Sequence, residues 1–82
     1  MSDTFTNKAA IIFGGGKNIG RAVALEFARR GARVAIADID FDGAKETAGA
    51  IEAAGGRGLG IRCDVTNAES VRNAAEIGRA HV

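Results

Sequence analysis

Proline, tyrosine and tryptophan are absent from the 82-residue sequence, and cysteine, histidine and methionine occur once each. Without tyrosine, no reaction that needs a phenol as acid or base can be carried by these residues alone. A lone cysteine, Cys63, cannot close an intramolecular disulfide, and without a Cys/His cluster no zinc or other metal site is expected. Neither sign of charge dominates: eleven Lys plus Arg stand against ten Asp plus Glu, for a net charge of +1. No long run of either sign occurs, so the electrostatic footprint of a nucleic-acid partner is missing. No apolar stretch approaches the roughly 18 residues of a membrane span, and the polar start, Met1 to Asn7, lacks the basic flank and apolar segment of a signal peptide. The expectation is a cytoplasmic protein that partners neither membrane nor nucleic acid.

What is abundant is small. Twelve glycines and seventeen alanines fill the chain, which is long enough for one domain at most. A chain this short buries only about 60 to 65% of the surface its unfolded form exposes, so any core is small.

Ala9, Ala10, Ile11, Ile12 and Phe13 form a continuous apolar run that stops at Gly14, Gly15 and Gly16, as a buried parallel strand would. From Ile19 the period changes. Gly20, Val23, Ala24, Phe27 and Gly31 fall on one side of a helical projection, with Arg21, Glu26, Arg29 and Arg30 on the other, giving an amphipathic helix that ends at Gly31. Val34 to Ala37, closed by Asp38, read as a second buried strand. A second helix starts at about Asp42, an N-cap candidate, puts Ala44, Ala48 and Ile51 on one face, and ends at Gly55 and Gly56. Leu59 to Val65 alternates imperfectly and carries Arg62, which suits a third strand near the sheet edge. Thr66 and Glu69 have capping-box spacing and open a third helix with Val71, Ala74, Ala75 and Gly78 on one face. Units of about 25 to 30 residues in the order βαβαβα give an α/β class, a partial doubly wound parallel sheet.

The chemistry concentrates between the first strand and the first helix. Gly14-Gly15-Gly16-Lys17-Asn18-Ile19-Gly20 lies where backbone N–H groups and a helix dipole meet a phosphate. Glycine permits the tight turn and lets a pyrophosphate approach the main chain. A Walker A loop is excluded, because glycines do not precede Lys17 at that spacing and no Ser or Thr follows it. Asp38 closes the second strand 18 residues after Gly20, where a carboxylate would accept from an adenosine ribose. The ligand expected from this pairing is a dinucleotide; the competing reading is an ordinary strand-to-helix turn with a turn-making Asp.

These residues resemble the N-terminal part of a short-chain dehydrogenase/reductase over nearly the whole chain. That family writes its cofactor loop T-G-x-x-x-G-x-G, matched here at Gly14 and Gly20, with Phe13 in place of Thr and Asn18 in place of the middle Gly. Asn is the non-glycine residue that best tolerates left-handed geometry. The resemblance implies a Rossmann half-domain over residues 1–82 whose cofactor-binding residues are Gly14, Gly16, Lys17, Asn18, Ile19, Gly20, Asp38, Ile39, Asp64 and Val65. Asp38 matches the family's strand-end acid and implies NAD rather than NADP; Lys17 argues the other way, but one exposed lysine does not offset a carboxylate facing a 2′-phosphate. Asp64 would accept from the adenine amino group, and Val65 would pack on the ring.

No catalytic residue is assigned within the chain. Cys63 reads as a small buried residue, because no neighbouring base lowers its pKa, and His81, near the C-terminus, is given no role. The family's Tyr and Lys four residues apart, its upstream Ser and its Asn-Ala-Gly turn have no counterpart here. The resemblance therefore implies the adenosine-binding half of an NAD-dependent oxidoreductase acting on a small-molecule carbonyl/alcohol pair, without turnover by this piece alone, in a homo-oligomer. The alternative is a free-standing nucleotide-binding or interaction module, or an inactive truncated remnant. In the family's strand order the first strand lies between the second and a fourth, so in these residues alone it is an open edge that invites pairing or aggregation.

Overall fold

The computed structural model describes residues 5–14, 16 and 18–82. Six elements alternate without exception: β1 (Ala9–Phe13), α1 (Asn18–Arg29), β2 (Arg33–Asp38), α2 (Phe41–Ala53), β3 (Arg57–Arg62) and α3 (Ala68–His81). The strands form one parallel sheet in the order β1-β2-β3, with Ile12 opposite Ile36 and Ile36 opposite Gly60. This is the expected βαβαβα half of a doubly wound sheet.

β2 is central, and its run Val34 to Ala37 is fully buried. Alternation then divides its side chains between two layers. Val34 and Ile36 join Ala24, Ala44, Ala48 and Ile51 beneath α1 and α2, while Ala35 and Ala37 join Ile61, Cys63 and Ala74 beneath α3. Burying each of Val34, Ile36 and Ile51 contributes about 1.5–3 kcal/mol relative to exposure. Cys63 is buried, as expected.

The sequence reading needs correction at several boundaries. β1 is the edge strand expected of these residues alone, but as a result it is half-buried along Ala10 to Ile12 and exposed at both ends rather than buried, Phe13 being 41% exposed. The N-cap of α2 is Asp40, not Asp42: its carboxylate accepts from the Gly43 N–H at 3.1 Å. Asn67, not Thr66, caps α3, accepting from the Ser70 N–H at 3.0 Å. β3 spans Arg57–Arg62 rather than Leu59 to Val65. Its alternating glycines explain the shift. A Cβ on Gly58 would lie 2.9 Å from the Ala48 carbonyl, and one on Gly60 would lie 3.0 Å from the Lys45 nitrogen, so α2 rests directly on the strand backbone and no side chain fits between them.

Both helices on that face end alike. After α1, the Ala32 N–H donates to the Phe27 carbonyl and the Gly31 N–H to the Ala28 carbonyl; after α2, Gly56 donates to Ile51 and Gly55 to Glu52. These paired bonds close the last turns through a residue in the left-handed region, Gly31 at φ +101° and Gly55 at φ +95°.

Candidate functional site

At the carboxyl end of the sheet, β1 runs past its last paired residue into the turn that precedes α1. The Gly14 N–H still donates to the Ala37 carbonyl at 2.7 Å, and Gly14 then turns the chain at φ +81°. Asn18 opens α1 at φ +59°, in the left-handed region. Asn adopts that region more readily than other residues bearing a Cβ.

Asp38 ends β2 beside this turn. Its Oδ2 accepts from the Gly16 N–H at 2.9 Å, and its Oδ1 from the Asp40 N–H at 3.0 Å. The carboxylate thus joins the glycine-rich turn to the entry of α2, and each oxygen retains capacity for a further donor. Gly16 is buried, and the approach excludes any side chain there: a Cβ would lie 2.7 Å from Asp38 Oδ2 and 3.1 Å from the Ala44 nitrogen. Asp38 and Gly16, 22 positions apart, are therefore one structural unit.

β3 delivers the remaining residues to the same end, since the Cys63 N–H donates to the Asp38 carbonyl at 3.0 Å. Asp64 follows. Its Oδ1 accepts from the Thr66 hydroxyl at 2.6 Å and from the Thr66 N–H at 2.9 Å, and these bonds hold its carboxyl below the ordinary value of 3.8. Its own N–H is satisfied by Ser70 Oγ at 2.9 Å. Apolar side chains stand open at this end, among them Ile19 (79% exposed), Ile39 (58%) and Val65 (57%). Gly20 is half-buried in the first turn of α1. Lys17, the remaining residue expected in the site, lies outside the described residues.

Sequence reasoning missed one participant. Thr47 is fully buried, and its hydroxyl donates to the Gly16 carbonyl at 3.3 Å while accepting from Arg21 Nη1 at 3.2 Å. A signal was present: Thr47 is the polar residue on the Ala44, Ala48, Ile51 stripe of α2.

A concavity also lies elsewhere. About 770 Å³ opens between the C-terminal turns of α1 and α2, lined by Leu25, Ala28, Ile51 and Ala54 with Arg33 and Arg57 at its margin. It faces the amino ends of the strands, whereas open α/β sheets bind ligands beyond the carboxyl ends. Its lining combines alkyl surface with the side chains of Arg29, Arg33 and Arg57. Among the described residues no cluster of His, Cys, Asp and Glu is arranged to hold a metal ion, and no helix is long and apolar enough to cross a membrane.

Comparison with known proteins gives a consistent result. The profile of the short chain dehydrogenase family matches residues 8–82. The chain is 45% identical to 2,5-dichloro-2,5-cyclohexadiene-1,4-diol dehydrogenase of Sphingobium indicum over 74 residues, 90% of this chain and 30% of that protein. It is 38% identical to 7α-hydroxysteroid dehydrogenase of Escherichia coli over 69 residues, 84% of this chain and 27% of the relative. Among solved structures, a 7α-hydroxysteroid dehydrogenase complexed with NADH and 7-oxo glycochenodeoxycholic acid superposes with a TM-score of 0.92 at 33% identity, over 95% of this chain and 31% of its own. A short chain dehydrogenase/reductase from Burkholderia phymatum in complex with NAD superposes with a TM-score of 0.89 at 34% identity, over 94% and 27% of the two chains. The chain spans less than a third of the length of each of these relatives.

Proposed function

The chain belongs to the short-chain dehydrogenase family, and from that premise we propose that its 82 residues supply the adenosine diphosphate end of an NAD site in an oxidoreductase acting on a carbonyl/alcohol pair. The observation that carries the reading is the contact between Asp38 and Gly16. It sets a strand-end carboxylate and a side-chain-free turn against each other at the carboxyl end of the sheet, where a ribose and its pyrophosphate would lie together.

Gly14, Gly16, Lys17, Asn18, Ile19 and Gly20 would line the pyrophosphate, with the N-terminus of α1 supplying N–H donors and a favourable dipole. Asp38 would accept from the ribose hydroxyls, and Ile39 would flank the sugar. Asp64 has one oxygen committed to Thr66, which leaves the other to accept from the adenine amino group, and the open Val65 would pack on the ring. The bound cofactor supplies the hydride acceptor or donor. These residues fit NAD better than NADP: Asp38, next to the ribose, would repel a 2′-phosphate. We place the acid–base group of hydride transfer outside these residues, since the chain contains no tyrosine.

Calorimetric titration of the 82-residue chain with NAD, ADP-ribose and NADP tests this reading. NAD and ADP-ribose should bind with affinities within about threefold of each other, because nothing proposed here grips the nicotinamide, and NADP about tenfold more weakly. Absence of binding by all three overturns it. NADH oxidation by the pure chain with any ketone would contradict the placement of the reacting groups elsewhere.

A further inference from the structure

We propose that Thr47 is a positioning residue for the glycine-rich turn, and that Arg21 acts through it. Gly16 is gripped by both of its backbone polar groups. Its N–H donates to Asp38 Oδ2 from β2 (2.9 Å), and its carbonyl accepts from Thr47 Oγ1 on α2 (3.3 Å). Two bonds from two different elements fix both backbone torsions of a residue that, as glycine, has no side-chain preference of its own. Arg21 Nη1 donates to the same hydroxyl at 3.2 Å and lies 3.7 Å from Glu46 Oε1. The hydroxyl therefore spends its one proton on Gly16 and receives Arg21 on a lone pair. Such a chain strengthens each member in a buried setting.

The packing confines this carbonyl. Gly16 sits against Gly43 and Ala44 so closely that a Cβ on Gly43 would lie 3.1 Å from the Gly16 oxygen. A side chain at position 43 would crowd it, and a buried carbonyl without a donor is costly. The inference rests on the dinucleotide reading for its consequence, which is that the turn is preset before ligand arrives and affinity is not spent on ordering it. The clamp itself is independent of any ligand.

Thr47→Val keeps the volume and removes the hydroxyl; Thr47→Ser keeps the hydroxyl. Amide hydrogen exchange at Gly16 is read against Ile36, at the centre of β2. Thr47→Val should accelerate exchange at Gly16 about tenfold, leave Ile36 unchanged and weaken NAD binding about tenfold, with Ser restoring both to within about threefold. Equal acceleration at Gly16 and Ile36 would mean that Thr47 serves global stability only, and unchanged exchange at Gly16 would mean that no clamp exists; either overturns the proposal. If NAD fails to bind the unsubstituted chain, the dinucleotide reading falls while exchange at Gly16 still decides the clamp. Arg21→Met, on the helix surface, keeps the test readable should a buried valine unfold the chain. It should accelerate Gly16 about threefold, and no acceleration would remove Arg21 from the relay.

Discussion

At the carboxyl end of the sheet, strands hand over to helices through Gly14, Gly16 and Asn18; at the amino end, helices hand back to strands through Gly31 and Gly55. Both ends use left-handed residues, yet they do different work. At the amino end the turns satisfy themselves, each glycine closing bonds to the helix just finished. At the carboxyl end the turn is satisfied from a distance, by Asp38 and Thr47, and apolar Ile19, Ile39 and Val65 are left uncovered. Locally closed turns make a fold. Turns held by remote polar groups, beside open apolar surface, are where the proposed site lies, although a hollow also opens at the other end.

Asp38→Ala should break this contrast most severely, because it removes the anchor of Gly16 together with the carboxylate proposed to accept from the ribose. NAD affinity should fall about 10- to 100-fold, and the preference over NADP should largely disappear. An unchanged ratio of the two affinities in calorimetry would remove Asp38 from the site. A matched pair of glycine substitutions then separates the ends. Gly16→Ala places a methyl group against Asp38 Oδ2 and should weaken NAD binding about tenfold. Gly55→Ala meets no atom within 4 Å but keeps φ near +95°, so it should lower stability by about 1–2 kcal/mol and leave NAD affinity alone. Denaturant unfolding and calorimetry on both variants would settle the contrast, and equal effects on affinity would erase it.

The sequence made the element order legible because each buried strand is an apolar run and each helix carries a small-residue stripe. Val34 to Ala37 and the Ala44, Ala48, Ile51 face are where expected. Helix starts were less legible, for a reason of geometry. Asp38, Asp40 and Asp42 are all capping types, and only the phase of the first turn decides that Asp40 meets the Gly43 N–H. Thr66 had the right spacing to Glu69, but its hydroxyl is committed to Asp64, and Asn67 reaches Ser70 instead. β3 starts two residues before the expected Leu59 and ends at Arg62, and its Gly58 and Gly60 mark the face on which α2 lies. In the site, the motif positions were legible, but the bond from Thr47 to Gly16 spans 31 positions, and no local pattern encodes it.

A smaller effect distinguishes the ends by pH. In the latter half of α1, Glu26 accepts from Arg29 at 2.7 Å and from Arg30 at 2.7 Å. Arg29 first and Arg30 second bring its pKa from 4.5 to about 2. A carboxyl held low in the fold contributes stability that is fully present above 4.5 and is lost as pH falls from there towards 2. Glu26→Gln should flatten that part of the melting-temperature profile, modestly because the pair is solvent-exposed, without altering NAD affinity at neutral pH. An undiminished acid slope in the variant would show that the two arginines do not hold the carboxylate in solution.

The smallest expected effect concerns Asn18, where the chain departs from the family's glycine. At φ +59° glycine pays no steric cost and asparagine pays little, whereas alanine, which has a Cβ but no polar side chain to bond locally, should lose about 1–2 kcal/mol. Asn18→Gly should therefore change NAD affinity by no more than about twofold and stability by less than about 1 kcal/mol. Asn18→Ala should destabilise about as much as Gly55→Ala does at the opposite end, but should also weaken NAD binding, because this left-handed residue sits in the turn proposed to hold the pyrophosphate. If Asn18→Ala costs stability and leaves affinity untouched, the turns at the two ends are equivalent, and the contrast drawn between them fails at its most conservative point.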